Sequence, residues 1–402
     1  MRLLFTTWAW PSHLYAMVPL AWACRAAGHD VLVASQPALR DAIEATALPA
    51  AEVGSDVDAV GMVRGYVLPA GSAAGSAPSG AARTGEAPAL GGAAPRTGGG
   101  PRALAMVLAN AVSMVDGLMD LTKAWHPDVV VYDPTAMAGP VVAAAAGVPA
   151  IRHLYGTDLM QRAGSALSEM LVPLAHRHGV TSFDPFGALT LDPWPESLQL
   201  PDVPNRVGTR YVPFNGPGAL PPALPDRGPR PRILVTWGHT IGRVAPERFP
   251  VTEVASALAA DADVLVAISA GQRSLLGTLP ADVTVLTDAP LEHVVGECDL
   301  VVAHGGAGTV LTALHAGVPL LLVPQLPDHA GHAARVVARG AGRVLRYDEL
   351  SVDRIRAEAA EVLSNGASAA AAGVRKEMLA QRSPAQIAAE LPALVAAARP
   401  VA

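Results

Sequence analysis

The chain is 402 residues long, 51% hydrophobic and 16% charged, with a formal net charge of −6 and a mean hydropathy of +0.32. That length exceeds one ordinary core and predicts two domains of roughly 200 residues. An acidic balance with no basic run excludes nucleic acid and anionic membrane as expected partners. The apolar content, mostly Ala, Val and Leu broken by Pro, Gly or charge, offers no uninterrupted span of the roughly 20 residues a bilayer requires.

The N-terminus, MRLLFTTWAWPSH, reaches Pro11 and His13 too early for a secretory signal. Cys24 and Cys298 fall in different halves, which indicates neither a disulfide framework nor a zinc site. A cytoplasmic enzyme without a metal is the expectation. RLLFTT reads as a first strand and VPLAWACRAAGHD as a helix, with Pro19 in its first turn and Gly28 at its stop. VLVAS, DVVVYD and VPAIRH are further strands. Residues 69–101 are a Gly/Ala/Pro/Ser tract almost without branched apolar side chains. Such a segment cannot bury enough surface to offset its ordering entropy, and the composition predicts a mobile loop.

Residues 213–231 contain seven prolines and three glycines and read as an interdomain linker. Beyond it follow RILVTWG, VTEVASALAA, ADVLVAIS, VTVLTD, LEHVVGEC, DLVVAHGG and VPLLLVPQ. Near-continuous Val/Leu strands alternating with helices require a parallel sheet covered on both faces. The fold class is therefore α/β, two doubly wound Rossmann-like domains facing across a cleft.

Ligands of such sheets sit at the carboxyl ends of the strands. In the second half those loops are TWGHTIGR (236–243), DAPLEH (288–293), HGGAGT (304–309) and PQLPDHAGH (324–332), rich in glycine, hydroxyl and imidazole. In HGGAGT a strand ends on His304, three glycines follow in four positions, and a helix runs from Thr309 to a stop at Gly317. Backbone N–H groups and a helix N-terminus there form a seat for a phosphate. The first-half loops, TWAWPSHLYAM (7–17) and YDPTAM (132–137), are aromatic and apolar, with His13 and Asp133 as their main ionisable groups. Asp133 and Asp328 can each be read as caps of the helices that follow them. Asp56-Val57-Asp58 matches a metal-binding Asp-x-Asp of a different fold but lies in the wrong half.

SHLYAMVPLAWACRAAGHDV, VGTRYVPFNGP and HGGAGTVLTALHAGVPLLLVPQLPDHAGHAARV together resemble family 1 glycosyltransferases of GT-B fold. The likeness is to those of bacterial antibiotic biosynthesis that attach deoxysugars to polyketides, and it runs nearly end to end. It implies an acceptor domain over 1–212, a linker over 213–231 and a nucleotide-sugar domain over 232–384. It also implies a final helix within 385–402 returning to the first domain. His304, Gly305, Gly306, Gly308 and Thr309 would bind the donor diphosphate. Gly238, His239 and Thr240 would close over the phosphates, and Ala289 and Leu291 would also bind the donor. Asp328 and His329 would face the sugar hydroxyls. His13 would be the general base, oriented by Asp133, with Trp8, Trp10, Tyr15 and Met137 lining the acceptor site.

Two positions depart from the pattern. Asp288 stands where relatives often place an aromatic against the base, and Ser12 where they often place Gly. The implied reaction is inverting transfer of a deoxysugar from a dTDP donor to a hydrophobic aglycone. An epimerase of the same fold class and a silent sugar-nucleotide-binding helper are the rival readings. A P450-like auxiliary protein and a homodimer are the partners the resemblance adds.

Overall fold

The computed structural model of the protein describes residues 1–67, 99–219 and 223–398. The tract 69–101 lies outside the described residues as far as residue 98, and 99–101 open a helix rather than closing a loop.

In the N-terminal half, the strands are β1 (Arg2–Thr6), β2 (Asp30–Ser35), β3 (Ala50–Glu52), β4 (Val129–Tyr132), β5 (Ala150–His153), β6 (Leu189–Asp192) and β7 (Arg206–Gly208). They pair in parallel in the order β3-β2-β1-β4-β5-β6-β7. The helices are α1 (Pro11–Ala26), α2 (Arg40–Glu44), α3 (Ala59–Arg64), α4 (Gly99–Trp125), α5 (Ala138–Ala146) and α6 (Gly164–Arg177). Both faces of the sheet are buried, and the strand period of two divides it. Leu4, Val130 and Tyr132 join α4 and α5 in one core, while Leu3, Phe5, Val129 and Val131 join α1 in another.

The second half repeats this plan with β8 (Arg232–Thr236), β9 (Asp263–Ile268), β10 (Thr284–Thr287), β11 (Leu300–Ala303), β12 (Leu320–Leu322) and β13 (Gly342–Val344). Their order is β10-β9-β8-β11-β12-β13, again parallel. The helices are α7 (Thr240–Val244), α8 (Val251–Leu258), α9 (Ala307–Ala316), α10 (Pro327–Ala338), α11 (Val352–Ser364) and α12 (Ala367–Ala380), followed by α13 (Pro384–Ala398). In each sheet the strand order reverses next to the first strand, between β1 and β4 and between β8 and β11. At such a reversal the flanking crossovers depart to opposite faces and leave a crevice. His13 follows β1, Asp133 follows β4, Gly238 follows β8 and His304 follows β11.

Two helices differ from the sequence reading. The periodicity starts a helix at Val18, whereas α1 begins at Pro11, so His13 sits in the first helical turn rather than in a loop. Proline is well suited there, because that N–H has no intrahelical partner; Pro19 falls inside the helix, which forgoes one hydrogen bond. The second difference is α4. Among the described residues, Arg102–Trp125 is long and apolar enough, by length and composition, to cross a membrane. Asp116 and Asp120 interrupt the run, which is why the sequence showed no uninterrupted span. The helix is two-sided: Val107, Ala111, Met114, Val115 and Leu118 are buried in the core, and the Asp116 and Asp120 side chains are 77% and 80% exposed.

The last helix, α13, packs on α1, placing Ile387, Ala388, Leu391 and Val395 against the first domain's Leu14-to-Ala21 face. His29 Nε2 donates to Ala388 O at 3.1 Å, and Arg210 N donates to Arg382 O at 2.6 Å where the chain arrives. Leu391 is 1% exposed. Leu391→Ala removes buried methyl groups and leaves a cavity, so it should destabilise the first domain by about 2–5 kcal/mol. The check is the denaturant midpoint followed by tryptophan fluorescence, with Val352→Ala, an exposed site, as the neutral control.

Candidate active site

His13 Nδ1 lies 2.8 Å from Asp133 Oδ2, with the histidine 8% and the aspartate 0% exposed. The other carboxylate oxygen, Oδ1, accepts from Thr135 N at 2.8 Å and from the Thr135 hydroxyl. One carboxylate thus closes the turn ahead of α5 and holds the imidazole, which joins the two sequence readings of Asp133. A carboxylate partner fixes the hydrogen on Nδ1 and leaves Nε2 with the free lone pair. The Trp8 indole nitrogen sits 3.2 Å from the same Nδ1, and the Tyr155 ring lies 4.0 Å from the imidazole, centre to centre. Burial pushes the Tyr155 phenol well above its ordinary pKa.

Opposite stands the glycine turn. Gly305 has φ +94°, and a side chain there would meet the His329 backbone, so both torsion and space require glycine. Gly306 is the N-cap of α9, which starts two residues earlier than the sequence pattern suggested, at Ala307, and ends on Gly317 in the left-handed region. Gly306 and Gly238 both lie against the His304 ring, where a Cβ would come within 2.4 Å and 2.6 Å of it. The His304 and His329 rings meet edge to face at 4.6 Å. Burial, reinforced by His329, His239 and His332, holds His304 well below the usual histidine range. Burial likewise pushes His329 down to about 4 and lowers His332 and His239. These imidazoles are neutral near pH 7. Burial alone would raise the Asp328 carboxyl, but His329, His332 and the adjacent backbone N–H groups hold it low and ionised.

Both groups line one cavity of about 2320 Å³. Around it stand Trp8, Trp10, His13 and Tyr15 from the first domain. Gly238, His239, Thr240, Ala289, Leu291, His304, Gly306, Gly308, Thr309, Asp328 and His329 come from the second. Gly305 and Asp133 lie one layer behind this wall. Met137 does not reach it: it is 0% exposed in the core, because the turn at Asp133 directs Pro134 and Thr135 to the cleft and sends Met137 inward. The apolar end is instead walled by Val63 and Tyr66 near α3, Leu104 and Val107 of α4, and Met160. Asp288 lies at the ends of β9 and β10 with φ +52°, its Oδ1 accepting from Ala270 N at 2.9 Å. Beside it the wall is aliphatic, from Ala267, Ile268, Ala289 and Leu291. Asp56 and Asp58 serve backbone N–H groups of Ala38 and Gly61, and Asp58 caps α3.

Sequence reading missed the groups that join the halves. Arg243 of α7 lies over the Trp10 ring at 4.9 Å, and Arg64 Nε donates to Val244 O at 2.7 Å. Tyr211 and Asn215, read only as approach and linker, bond to α9. Their hydroxyl and amide inside RYVPFN were the available signal.

Residues 22–238 match the N-terminal domain of the erythromycin biosynthesis protein CIII-like family, and residues 252–394 match its C-terminal domain. The 10-deoxymethynolide desosaminyltransferase of Streptomyces venezuelae is 34% identical over 98% of this chain and 97% of its own length. The aklavinone 7-beta-L-rhodosaminyltransferase of Streptomyces galilaeus is 36% identical over 96% and 94%. The structure of a spinosyn rhamnosyltransferase superposes with a TM-score of 0.82 at 27% identity, covering 98% of this chain and 100% of that one. Further structures of that protein contain thymidine diphosphate or spinosyn aglycone. Fold and cleft define a GT-B glycosyltransferase. The chain belongs to the erythromycin biosynthesis protein CIII-like family of these enzymes.

The buried imidazoles make stability depend on pH. His153 and His329, both pushed down to about 4 by burial, stay neutral when folded at pH values where an unfolded histidine, titrating near 6.5, is protonated. Below 6.5 the unfolded chain therefore binds more protons, and stability falls as pH drops from 6.5 towards about 4, by up to about 1.4 kcal/mol per pH unit for each such histidine. Denaturant midpoints at pH 7.5 and 5.0 should show this loss, and His329→Gln should make the dependence shallower.

Proposed function

We propose that this enzyme transfers a deoxysugar from a thymidine diphosphate donor to a hydroxyl of a hydrophobic polyketide acceptor, with inversion at the anomeric carbon. One observation carries the reading: a carboxylate-held imidazole at one sheet's strand-order reversal faces a glycine-turn helix N-terminus at the other's, across a single cavity. The apolar first-domain wall suits an aglycone, and the second-domain loops suit a nucleotide sugar. Relatives named for transfer to 10-deoxymethynolide and aklavinone, and the neighbour structure holding thymidine diphosphate, support these substrate classes.

In the reaction His13 Nε2 takes the acceptor proton as the acceptor oxygen attacks the anomeric carbon. Asp133, bonded to Nδ1–H, holds the tautomer and stabilises the imidazolium. The bond from the anomeric carbon to the diphosphate oxygen breaks, and the electron pair leaves with the diphosphate. The N-terminus of α9 and an N–H of neutral His304 receive that charge. Direct in-line displacement inverts the centre. An epimerase would require neither the base nor the apolar wall.

His13→Ala should lower the single-turnover rate by about 10²- to 10⁴-fold while leaving thymidine diphosphate affinity unchanged by calorimetry. Asp133→Asn should cost less, because it removes the group that holds the tautomer while leaving the base itself in place. Transfer by His13→Ala at the wild-type rate, with the same pH profile, would place the base elsewhere.

His304→Ala supplies the counterpart in the other domain. It removes a hydrogen bond to charged oxygen and should weaken thymidine diphosphate about ten- to a hundred-fold. Equal affinity would remove His304 from the seat.

A further inference from the structure

One imidazole of the second domain is gripped by the first. His332 of α10 is 1% exposed, stands behind the cavity wall, and has its Nδ1 3.0 Å from Gly305 O. A carbonyl oxygen only accepts, so Nδ1 carries the ring hydrogen and donates it. The peptide from Gly305 to Gly306 is trans, and in a trans peptide the oxygen and the hydrogen point opposite ways. Anchoring Gly305 O on α10 therefore sends the Gly306 N–H away from that helix, at the N-cap of α9. The ring itself is fixed from across the domain boundary. Trp194, following β6 and 0% exposed, stacks on it at 4.9 Å and 27°. Gly156, following β5, faces Nε2 so closely that a side chain there would come within 2.7 Å of it. Trp194 is anchored in turn: its backbone N–H donates to Asp192 Oδ1 at 2.9 Å and its indole N–H to Tyr155 O at 3.4 Å.

We propose that His332 is a positioning residue for the donor: through Gly305 O it fixes the peptide that presents the Gly306 N–H to the diphosphate, and Trp194 and Gly156 of the first domain hold the ring in place. This rests on the diphosphate seat proposed above, and His332 acts through the turn rather than on the phosphate. A glycine turn is the stretch of that seat most easily rotated, because no side chain limits its torsions. A rotated 305–306 peptide would set an oxygen against the diphosphate where a hydrogen belongs. The seat is thus complete only with the two domains docked, and donor affinity depends on a first-domain residue, Trp194, that lies outside the cavity wall. Tyr155, whose carbonyl anchors Trp194, is also the residue whose ring packs on His13, so one run of contacts joins the turn to the base.

Calorimetry of the full chain with thymidine and with thymidine diphosphate separates holding the turn from filling space. His332→Phe keeps a ring against Trp194 but has no N–H, whereas His332→Asn gives up the ring and keeps a nitrogen donor at the Nδ1 position. The phenylalanine variant should weaken thymidine diphosphate about three- to ten-fold, as one lost hydrogen bond does, and the asparagine variant should stay nearer wild type. Thymidine affinity should be unchanged in both. Trp194→Phe shrinks the stack and should give a smaller loss of the same kind, adding little on top of His332→Phe. Melting curves establish that the variants are folded; His332→Leu, which also lacks a donor, serves should the phenylalanine variant fail to fold. The reverse order, with phenylalanine like wild type and asparagine weakened, would reduce His332 to packing and overturn the role. If every folded His332 variant binds thymidine diphosphate as wild type does, while His304→Ala weakens it, the His332 role falls and the seat stands. If wild type itself binds no thymidine diphosphate, both fall.

Discussion

The 2.8 Å bond between His13 Nδ1 and Asp133 Oδ2 joins residues 120 positions apart in the chain. It can form because β1 and β4 are neighbours although, among the described residues, β2, β3 and α1 to α4 separate them in sequence. The parallel register, Thr6 beside Tyr132, brings the ends of these strands level. From there α1 departs with His13 in its first turn, and the chain beyond Tyr132 turns on the Asp133 carboxylate. Shifting either strand by one residue would turn its buried side chains to the opposite face and separate the pair. The pairing that builds the core is therefore also the pairing that brings His13 and Asp133 together.

The second domain solves a different problem with the same geometry. In the proposed reaction an anionic leaving group is received inside a wall that is largely apolar. Charged side chains would have to be desolvated there, which is costly without a partner. The chain instead presents main-chain N–H groups at a helix start, with imidazoles that burial keeps uncharged. Such groups are preorganised and carry no net charge of their own, so the empty site is not penalised by mutual repulsion.

The strands were legible because a doubly covered parallel sheet writes itself as unbroken Val/Leu runs, as in RILVTWG and DLVVAHGG. The glycine turn was legible because positive φ and close approach leave few alternatives at Gly305 and Gly306. The start of α1 was not, since WAWPSH carries no helical period and only Pro11 marks the first turn. Met137 was misplaced because spacing from Asp133 says nothing of chain direction, which the Asp133–Thr135 turn reverses. Tyr211 and Asn215 were invisible as site residues for another reason: prolines hide what a segment touches, and a contact with α9 nearly a hundred residues later has no local pattern. The interdomain pairs, Arg243 stacked over Trp10 and Arg64 hydrogen-bonded to Val244, are equally non-local.

The return of α13 gives the molecule a second seam. The polypeptide passes between the domains once through 213–231 and again between α12 and α13, and Thr209 bridges Arg382 where the two passages run side by side. The final helix is covalently part of one half and packed into the core of the other. A single backbone cut within 213–231 would therefore not release two bodies. The halves would stay clasped through α13, and the protein could be assembled from two separately made polypeptides divided at that point, each carrying its own side of the cleft.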